Sequence, residues 1–269
     1  MSSIEEVQIL MVPAVRAVGL SRQFGDVWAV RDLELDVAAG SIVAVLGPNG
    51  AGKTTTLAML SGILAPTSGR VEIFGRNLET EPEHAKRMIG TVHERLNLHE
   101  HLTAREHLQF IGIIHRLSRR QIEQRSRELI ELLSLSDYAN RPISTYSHGT
   151  MKKTALASAL ISRPRLLLLD EPFEGLDPVT ARILVENLRA LARGGAAVVI
   201  TSHIMERVQT LCSRIVLIRD GTIALDSAVE TLISTDSAGQ RRDLEAVVLE
   251  ALGRSVDERD VLSWIEHEV

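Results

Sequence analysis

The chain has 269 residues, and 45% of them are hydrophobic, which supports a substantial core in one large domain or two lobes without disulfide bonds. Its 30 Lys and Arg residues against 35 Asp and Glu residues give a net charge of −5. This acidic balance, with no run of basic residues, argues against a nucleic-acid partner.

The first predicted elements form a β-rich entry segment followed by a strand and a helix. Hydrophobic and polar residues alternate over 15–37, as half-buried antiparallel strands require. Residues 41–46 are a continuous apolar run of strand length, and residues 54–64 have the pattern of a helix. A strand at 70–74, a short helix at 81–88 and a strand at 89–92 follow.

The middle of the chain changes to a helical period. Hydrophobic residues between 103 and 135 recur at helical spacing, and Ser118 is suited to cap the second of two helices there. A third helix is predicted from Ser147 to the break at Arg163 and Pro164. These patterns predict an all-helical insert over about residues 96–163.

Strands and helices alternate again after the insert. Apolar strands are predicted at 166–169, 196–201 and 215–218, with helices at 179–192 and 204–212 between them. Such runs favour a parallel sheet that is covered on both faces. A small hairpin at 222–225 comes next, and residues 227–269 are predicted to be helical with polar breaks.

A Gly-rich loop lies between the strand at 41–46 and its helix. Residues 47–55, GPNGAGKTT, fit the phosphate-binding pattern GxxxxGK[ST]. Its glycines let the backbone wrap closely around phosphate, Lys53 suits the β- and γ-phosphates, and the Thr54 hydroxyl suits Mg²⁺. The alternative, a Gly-rich turn with a solvated lysine, is disfavoured because strand, loop and helix occur in the required order. The predicted nucleotide contacts here are Gly47, Asn49, Gly50, Gly52, Lys53, Thr54 and Thr55.

Two further segments place polar residues at the ends of buried strands. Asp170 and Glu171 follow the four leucines at 166–169, where parallel strands meet the ligand crevice. Asp170 is therefore predicted to bind Mg²⁺ and Glu171 to polarise an attacking water. His203 follows the next strand and could bond the γ-phosphate or orient Glu171. The alternatives are a solvated strand end, and Ser202 as a helix cap beside a solvated His203.

These motifs together resemble those of the ATP-binding subunits of ABC transporters, over roughly residues 16–230. Residues 47–55 resemble the Walker A motif, 166–171 the Walker B motif with its catalytic glutamate, and His203 the switch histidine. Leu176 and Asp177 resemble the D-loop. The sequence YSHGT at 146–150 stands where the family has its LSGGQ signature.

The resemblance also assigns roles to four further residues. Phe24 matches the aromatic residue that stacks on adenine, and its alternative is a core-facing strand aromatic. Glu94 replaces the usual Q-loop glutamine, and its carboxylate could still bind Mg²⁺ directly or through water. The signature keeps only Ser147 and Gly149, which would contact the γ-phosphate together with the helix N-terminus.

The resemblance implies a fold and an assembly. The fold is α/β, with a P-loop NTPase (RecA-like) core of mainly parallel sheet, an N-terminal antiparallel β subdomain and the helical insert. An ABC ATPase domain would span residues 15–230, before a helical tail at 231–269. Two subunits would pack head to tail around two ATP molecules with Mg²⁺, each ATP between Walker A of one copy and Ser147 and Gly149 of the other, with Asp177 communicating across the interface.

The function expected from this set is an ATPase that powers a membrane transporter whose permease lies on separate chains. The signature and the tail favour the multidrug and ABC-2-type exporter branch, and residues 94–103 are the expected docking surface for the permease. A soluble non-transport ABC ATPase that acts on ribosomes or nucleic acid is the alternative, disfavoured by the single phosphate loop, the acidic charge and the lack of long heptads. A third alternative is a nucleotide-binding regulator without turnover, and Glu171 argues against it.

The remaining observations concern location and single residues. No apolar stretch approaches the ~18–20 residues that span a bilayer, and the N-terminus is acidic where a secretory signal is basic. A soluble, cytoplasmic chain on the inner face of the membrane is therefore expected. The single cysteine, Cys212, is expected to be a buried hydrophobic residue. Four histidines are interpreted as a solvated coupling surface rather than a metal site: His93, His99, His101 and His107.

Overall fold

The computed structural model describes residues 12–234 and 243–253. The strands are β1 (Val15–Phe24), β2 (Val27–Val37), β3 (Ile42–Leu46), β4 (Ser68–Ile73), β5 (Arg76–Asn77), β6 (Ile89–Val92), β7 (Leu166–Leu169), β8 (Ala197–Thr201), β9 (Arg214–Arg219) and β10 (Thr222–Ala228). The α-helices are α1 (Lys53–Leu60), α2 (Pro82–Arg87), α3 (Ala104–Ile114), α4 (Arg119–Leu132), α5 (His148–Leu160), α6 (Pro178–Arg193), α7 (Met205–Leu211), α8 (Val229–Leu232) and α9 (Leu244–Ala251).

The N-terminal strands form an antiparallel sheet in the order β2-β1-β4-β5. On β1, Val15, Ala17 and Leu20 are buried, whereas Arg16 is exposed. Because side chains alternate across a strand, this places one face of the sheet on the core and one towards solvent. The predicted antiparallel β subdomain is confirmed.

The second sheet has the order β10-β9-β3-β8-β7-β6 and is parallel except for the hairpin of β9 and β10. Its central strands are buried on both faces: Leu167 and Leu169 join one hydrophobic cluster, and Leu166 and Leu168 join the other. Continuous apolar strands were expected to give this arrangement, because helices and the antiparallel sheet leave neither face to solvent. The predicted α/β fold is confirmed.

The register of the parallel sheet brings three chain segments to one edge. Leu169 on β7 pairs with Ile200 on β8, and Val45 on β3 pairs with Thr201 at the end of β8. The carboxyl ends of β3, β7 and β8 therefore lie side by side. The loops that follow them carry the Gly-rich motif, the acidic pair and His203.

The insert consists of α3, α4 and α5, as predicted. Thr103 and Ser118 cap α3 and α4, and each forms a capping box with the residue three positions on. The two helices pack closely at Gly112, where a Cβ would lie 2.6 Å from Ile122 Cγ1. The helical spacing of hydrophobic residues and the capping residues thus agree on where α3 and α4 form.

The C-terminal part agrees with the predicted helical tail only in part. Ser227 and Ala228 were assigned to it, but they extend β10 by pairing with Ile215 and Arg214. This part of the prediction was wrong because the pairing of β10 with β9 continues beyond Leu225, where the predicted hairpin strand ends, to Ala228. α8 and α9 are helical, and residues 235–242 and 254–269 lie outside the described residues. Within the described part of the chain, no helix has the length and apolar character needed to cross a membrane.

Candidate active site

The Gly-rich loop joins β3 to α1, and its glycines have positive φ angles. Gly47, Gly50 and Gly52 have φ of 151°, 80° and 105°, which L side chains rarely adopt. A Cβ on Gly47 would collide with the carbonyl oxygen of Ile218, and one on Gly52 with that of Ala29. These two glycines thus let the loop pack on neighbouring strands, and Gly50 alone has open space around it.

Lys53 folds back along the loop that precedes it. Its Nζ donates hydrogen bonds to the carbonyl oxygens of Gly47 at 2.8 Å and Pro48 at 3.0 Å. Burial lowers the pKa of Lys53, while the negative charges of Glu171 and Asp170 oppose this shift. The ammonium therefore lies within reach of both the loop and the acidic pair.

The other predicted residues of the loop lie on its outer side. Thr54 and Thr55 occupy the first turn of α1, where Thr54 is exposed and Thr55 is half-buried. Asn49 is exposed at the turn of the loop. Backbone amides of a helix start and an open loop suit phosphate, since both present partial positive charge.

Asp170 is buried at the end of β7, with 3% of its surface exposed. Its Oδ1 accepts a hydrogen bond from the Thr201 hydroxyl at 2.5 Å. Its Oδ2 is buried and has no hydrogen-bond partner within the described ranges. Because a buried carboxylate oxygen without a partner is costly, this atom fits a site for a cation.

Glu171 follows with a left-handed backbone, at φ 45°. This conformation costs a residue other than glycine on the order of 1–3 kcal/mol and persists only where neighbours hold it. Its N–H donates to Thr201 Oγ1 at 2.9 Å, and its Oε2 lies 3.0 Å from His203 Nδ1. Thr201 thus joins Asp170 to Glu171, and Glu171 brings His203 into the same group.

His203 is exposed over 68% of its side chain, yet it pairs with Glu171. The alternative of Ser202 as a helix cap is not realised, because α7 begins only at Met205 after Ile204. Ser202 Oγ instead accepts the N–H of Ile204 at 3.1 Å in the strand-to-helix corner. This corner directs His203 towards the acidic pair.

The segment at 146–150 starts α5 in the insert. Ser147 is its N-cap, and its Oγ accepts the N–H of Thr150 at 3.3 Å. Gly149 packs against the loop after Glu171, where a Cβ would lie 2.7 Å from the Gly175 carbonyl oxygen. His148 is exposed beside the same loop.

Asp177 lies in that loop and caps α6. Its carboxylate accepts the N–H and the hydroxyl of Thr180, at 2.9 and 2.7 Å, and a bond from Lys153 Nζ at 2.8 Å. These bonds, that of Lys153 first, hold the pKa of Asp177 well below its usual range. The loop after Glu171 is therefore tied to α5 through an ion pair.

Phe24 and Glu94 are not joined to the acidic pair by any contact in the described part of the chain. Phe24 ends β1 with 48% of its surface exposed, under the Arg22 guanidinium at 4.6 Å from the ring centroid. Its reading as a core-facing aromatic is excluded. Glu94 is exposed in the loop after β6.

The NatA ATP-binding protein of an ABC transporter in Bacillus subtilis (strain 168) is 35% identical over 241 residues, which cover 88% of this chain and 97% of NatA. The ABC transporter family model matches residues 30–174. This chain belongs to the ABC transporter family of ATP-binding proteins. The predicted resemblance to this family is therefore confirmed, and the assignment of single segments to the family's motifs stays a prediction.

Other relatives of this ABC protein carry names of resistance and export. The daunorubicin resistance ATP-binding protein DrrA3 of Streptomyces coeruleorubidus is 34% identical, over 90% of this chain and 75% of DrrA3. The Nod factor export ATP-binding protein I of Rhizobium leguminosarum bv. viciae is 36% identical, over 82% of this chain and 71% of that protein. The predicted likeness to the exporter branch is confirmed by these names.

The fold of the family is also seen in a solved dimer. The ATP-binding cassette MJ0796, in a dimeric post-hydrolysis state bound to ADP and phosphate, matches with a TM-score of 0.73 at 25% identity. The match covers 80% of this chain and 98% of that one. The roles of individual residues in the present ABC protein remain predictions from its own geometry.

Two polar residues next to Walker B were missed by sequence reasoning. Thr201 is fully buried and joins Asp170 to Glu171, but it was counted only as the last residue of a strand. Lys152 on α5 is 3% exposed, and its Nζ donates to the Asp170 carbonyl oxygen at 3.1 Å. A lysine four residues into the signature helix, on the face that carries Leu156 and Ala159, was the available signal.

The histidine prediction is partly corrected. His101 is exposed, whereas His107 is 2% exposed on the inner face of α3, so the surface is not solvated throughout. Burial, and then the nearby His99, lower the pKa of His107 to about 4. His93, His99, His107 and His115 line a cavity of about 240 Å³ between the core and the insert.

The described residues also bear on metal binding and on the single cysteine. Among the residues that the structure describes, no three His, Cys, Asp or Glu side chains form a group that could hold a metal ion alone. A Mg²⁺ that is held by one or two carboxylates together with phosphates needs no such group. Cys212 is buried, as expected, and burial raises the pKa of its thiol to about 12.

Proposed function

We propose that this chain is the ATP-hydrolysing subunit of a membrane exporter and that it works as a dimer enclosing ATP. The observation that carries the proposal is the bonded set Asp170, Thr201, Glu171 and His203 beside Lys53. These residues place a cation ligand, a carboxylate for water and an imidazole at one edge of a parallel sheet. Phosphoryl transfer needs these groups and little covalent chemistry from the protein.

Each group has a distinct part in the hydrolysis of ATP to ADP and phosphate. Lys53 and the loop amides hold the phosphates, and Glu171 accepts a hydrogen bond from the attacking water and directs it towards the γ-phosphorus. His203 donates through Nδ1 to Glu171 and keeps that carboxylate oriented. Phe24 stacks on adenine with its exposed face.

Magnesium fits the acidic end of this site. Asp170 Oδ2 lacks a partner in the described structure, and the exposed hydroxyl of Thr54 starts the neighbouring helix. We infer that these two residues hold Mg²⁺, with Glu94 contributing directly or through water. The ion would neutralise charge that develops on the β- and γ-phosphates.

The second half of the site comes from a second copy or a related subunit. Ser147 and Gly149 begin α5, whose N-terminus and hydroxyl suit the γ-phosphate of a neighbouring molecule. The dimeric state of MJ0796 with ADP and phosphate supports this arrangement. Asp177, which bonds to Lys153 near that helix start, lies in position to signal between the subunits.

Permease subunits on separate chains complete the proposal. The loop at 94–103 joins the core to the insert and lines the histidine cavity together with α3 and α5. We propose that a cytoplasmic segment of the permease docks there and holds the ATPase at the inner face of the membrane. The named export and resistance functions of the relatives support an exporter.

Two experiments test this function. The purified chain should release phosphate from ATP in a Mg²⁺-dependent reaction, and it should copurify in detergent with a polytopic membrane protein. Salt-sensitive binding to RNA, DNA or ribosomes instead would favour a non-transport ABC ATPase. ATP binding without phosphate release would favour a regulator without turnover.

A further inference from the structure

Lys152 is buried on the signature helix and lies next to the acidic pair. Its side chain is 3% exposed, and its Nζ donates to the backbone carbonyl oxygen of Asp170 at 3.1 Å. Burial lowers the pKa of Lys152, and the negative charges of Glu174, Asp170, Glu171 and Glu94 oppose this shift. A buried ammonium is costly unless it is paired, so its contact with the Walker B end is a specific feature of the packing.

The bond from Lys152 acts on one particular peptide group. The carbonyl oxygen of Asp170 and the N–H of Glu171 belong to the same planar unit. Lys152 holds the carbonyl, and Thr201 Oγ1 accepts the N–H at 2.9 Å. The unit is thus held from two sides, by α5 of the insert and by β8 of the core.

The orientation of this peptide decides where the Glu171 carboxylate points. Glu171 adopts the left-handed backbone at φ 45°, which only its surroundings can maintain. A rotation of the peptide would move Oε2 away from His203 Nδ1, which now lies 3.0 Å from it. Small displacements of a reacting group are enough to slow a reaction strongly.

We propose that Lys152 is a positioning residue for ATP hydrolysis, which holds the Asp170–Glu171 peptide and so links the signature helix to the carboxylate that directs water. The proposal rests on the proposed catalytic role of Glu171. Ser147 caps the same helix five residues earlier, so contact of Ser147 with a nucleotide on a second copy reaches Glu171 through Lys152. Lys152 acts through the peptide and has no contact with the substrate.

The test compares Lys152→Met with a matched lysine variant, Lys86→Met. Methionine keeps the length of the side chain and its apolar stem but removes the donor. Lys86 is exposed on α2, which leads into the amino end of β6, whereas the acidic pair follows the carboxyl end of the neighbouring parallel strand β7. We expect Lys152→Met to lower kcat for ATP about 10- to 100-fold, with KM for ATP within about threefold of wild type. Lys86→Met should leave both constants unchanged.

A second readout does not depend on activity. Amide hydrogen exchange of the segment 166–173, followed by mass spectrometry, should become faster in Lys152→Met than in Lys86→Met, because one of the two bonds that hold the peptide is lost. If Lys152→Met does not fold, Lys152→Gln is measured in the same way, since the shorter glutamine side chain does not reach the Asp170 carbonyl oxygen at hydrogen-bond distance.

The outcomes are separable from the proposed function. A kcat within twofold of Lys86→Met, or unchanged exchange at 166–173, would overturn the role of Lys152. If the wild-type protein does not hydrolyse ATP, or if Glu171→Gln hydrolyses it normally, the proposed function fails, and the exchange measurement still decides whether Lys152 holds the peptide. A double variant with Thr201→Val should lose less kcat than the product of the two single losses, because both residues hold one peptide.

Discussion

The candidate site has a core half, after β7 and β8, and a signature half, at the start of α5 on the insert. The two halves differ in how many hydrogen bonds hold their polar side chains in place. On the core, Thr201 joins Asp170 to Glu171, and Glu171 in turn pairs with His203, by bonds of 2.5–3.0 Å. On the insert, the Ser147 hydroxyl bonds only to Thr150 of its own helix within the described residues. The polar side chains of the core half are thus bonded to one another across segments, whereas the signature half is a helix N-terminus with an exposed serine.

This difference predicts that the core half can bind ATP alone and that the signature half needs a partner. A constellation that is assembled before ATP arrives can bind phosphate and orient water without further folding. A helix N-terminus with an exposed serine has its greatest effect when an anion is brought to it. The comparison therefore predicts strong effects on chemistry from core variants and weaker effects, mainly on dimerisation, from signature variants.

The largest effect is expected for Glu171→Gln. This change removes the carboxylate that directs water but keeps its size, so hydrolysis should fall by roughly 10²–10⁴-fold while ATP binding and dimerisation persist. Phosphate release and size-exclusion chromatography with MgATP measure the two properties. Hydrolysis at the wild-type rate would remove Glu171 from its proposed role.

Lys53→Ala should abolish phosphate binding. Lys53 supplies the full positive charge of the phosphate loop, where its Nζ bonds to two loop carbonyl oxygens. The other ammonium beside the acidic pair, that of Lys152, is buried and bonded to the Asp170 carbonyl oxygen, so it cannot take the place of Lys53. We expect the affinity for a fluorescent ATP analogue to fall by at least about 100-fold, in the range of a lost charge-assisted contact. Lys86→Ala is the matched control, and equal affinities of the two variants would contradict the account.

Ser147→Ala tests the signature half, because the substitution should weaken the MgATP dimer and leave nucleotide binding by the monomer unchanged. Nucleotide affinity measured at low protein concentration should stay within about twofold of wild type, since the core half is intact. The dimer formed by the Glu171→Gln variant with MgATP should weaken by about 10-fold, the size of one hydroxyl contact to a charged group. A loss of nucleotide affinity in the monomer would place Ser147 in the core half instead.

Phe24→Ala should have a moderate effect on adenine recognition. Its exposed ring offers a stacking surface, and such contacts contribute about 0.5–1.5 kcal/mol beyond area burial, so the affinity for ATP should fall about 2- to 10-fold. Phe24→Trp should restore it. Equal binding of ATP by the alanine variant would show that the ring contributes nothing.

The smallest effect is expected for Asp177→Ala, which removes the cap of α6. Loss of such a cap costs about 0.5–2 kcal/mol of unfolding free energy near neutral pH, measured by urea denaturation. Because the folded pKa of Asp177 is lowered, its contribution is present above the usual range of an aspartate and is lost as pH falls through the folded pKa. The difference between wild type and variant should therefore be constant from pH 8 to 5 and shrink only in strong acid.

Much of the core half could be predicted from the sequence, because its signals are local. The strand at 41–46, the pattern from Gly47 to Thr55 and the acidic pair after four leucines each occupy a few consecutive residues. The apolar runs and the spacing of the glycines within these segments are enough to predict a strand, a phosphate-binding loop and a strand that ends in carboxylates. Hydrophobic alternation at 15–37 likewise predicted the antiparallel sheet, and continuous apolar runs predicted the parallel one.

The parts that were not predicted depend on contacts between distant segments. Thr201 reaches Asp170 and Glu171 across about 30 residues, and Lys152 is buried where α5 meets the residue that follows β7. The carbonyl oxygens beside Gly47 and Gly52 come from strands at the other end of the sequence and from the entry sheet. Tertiary packing decides such residues, and no periodicity in their own neighbourhood reveals it.

The most direct test of the account is the solution mass of Glu171→Gln, measured by small-angle X-ray scattering or sedimentation with and without saturating MgATP. The account predicts a monomer without nucleotide and twice that mass with MgATP, and it predicts that Ser147→Ala added to this variant weakens the dimer. A monomer at saturating MgATP would contradict the claim that each copy holds half of the reaction centre.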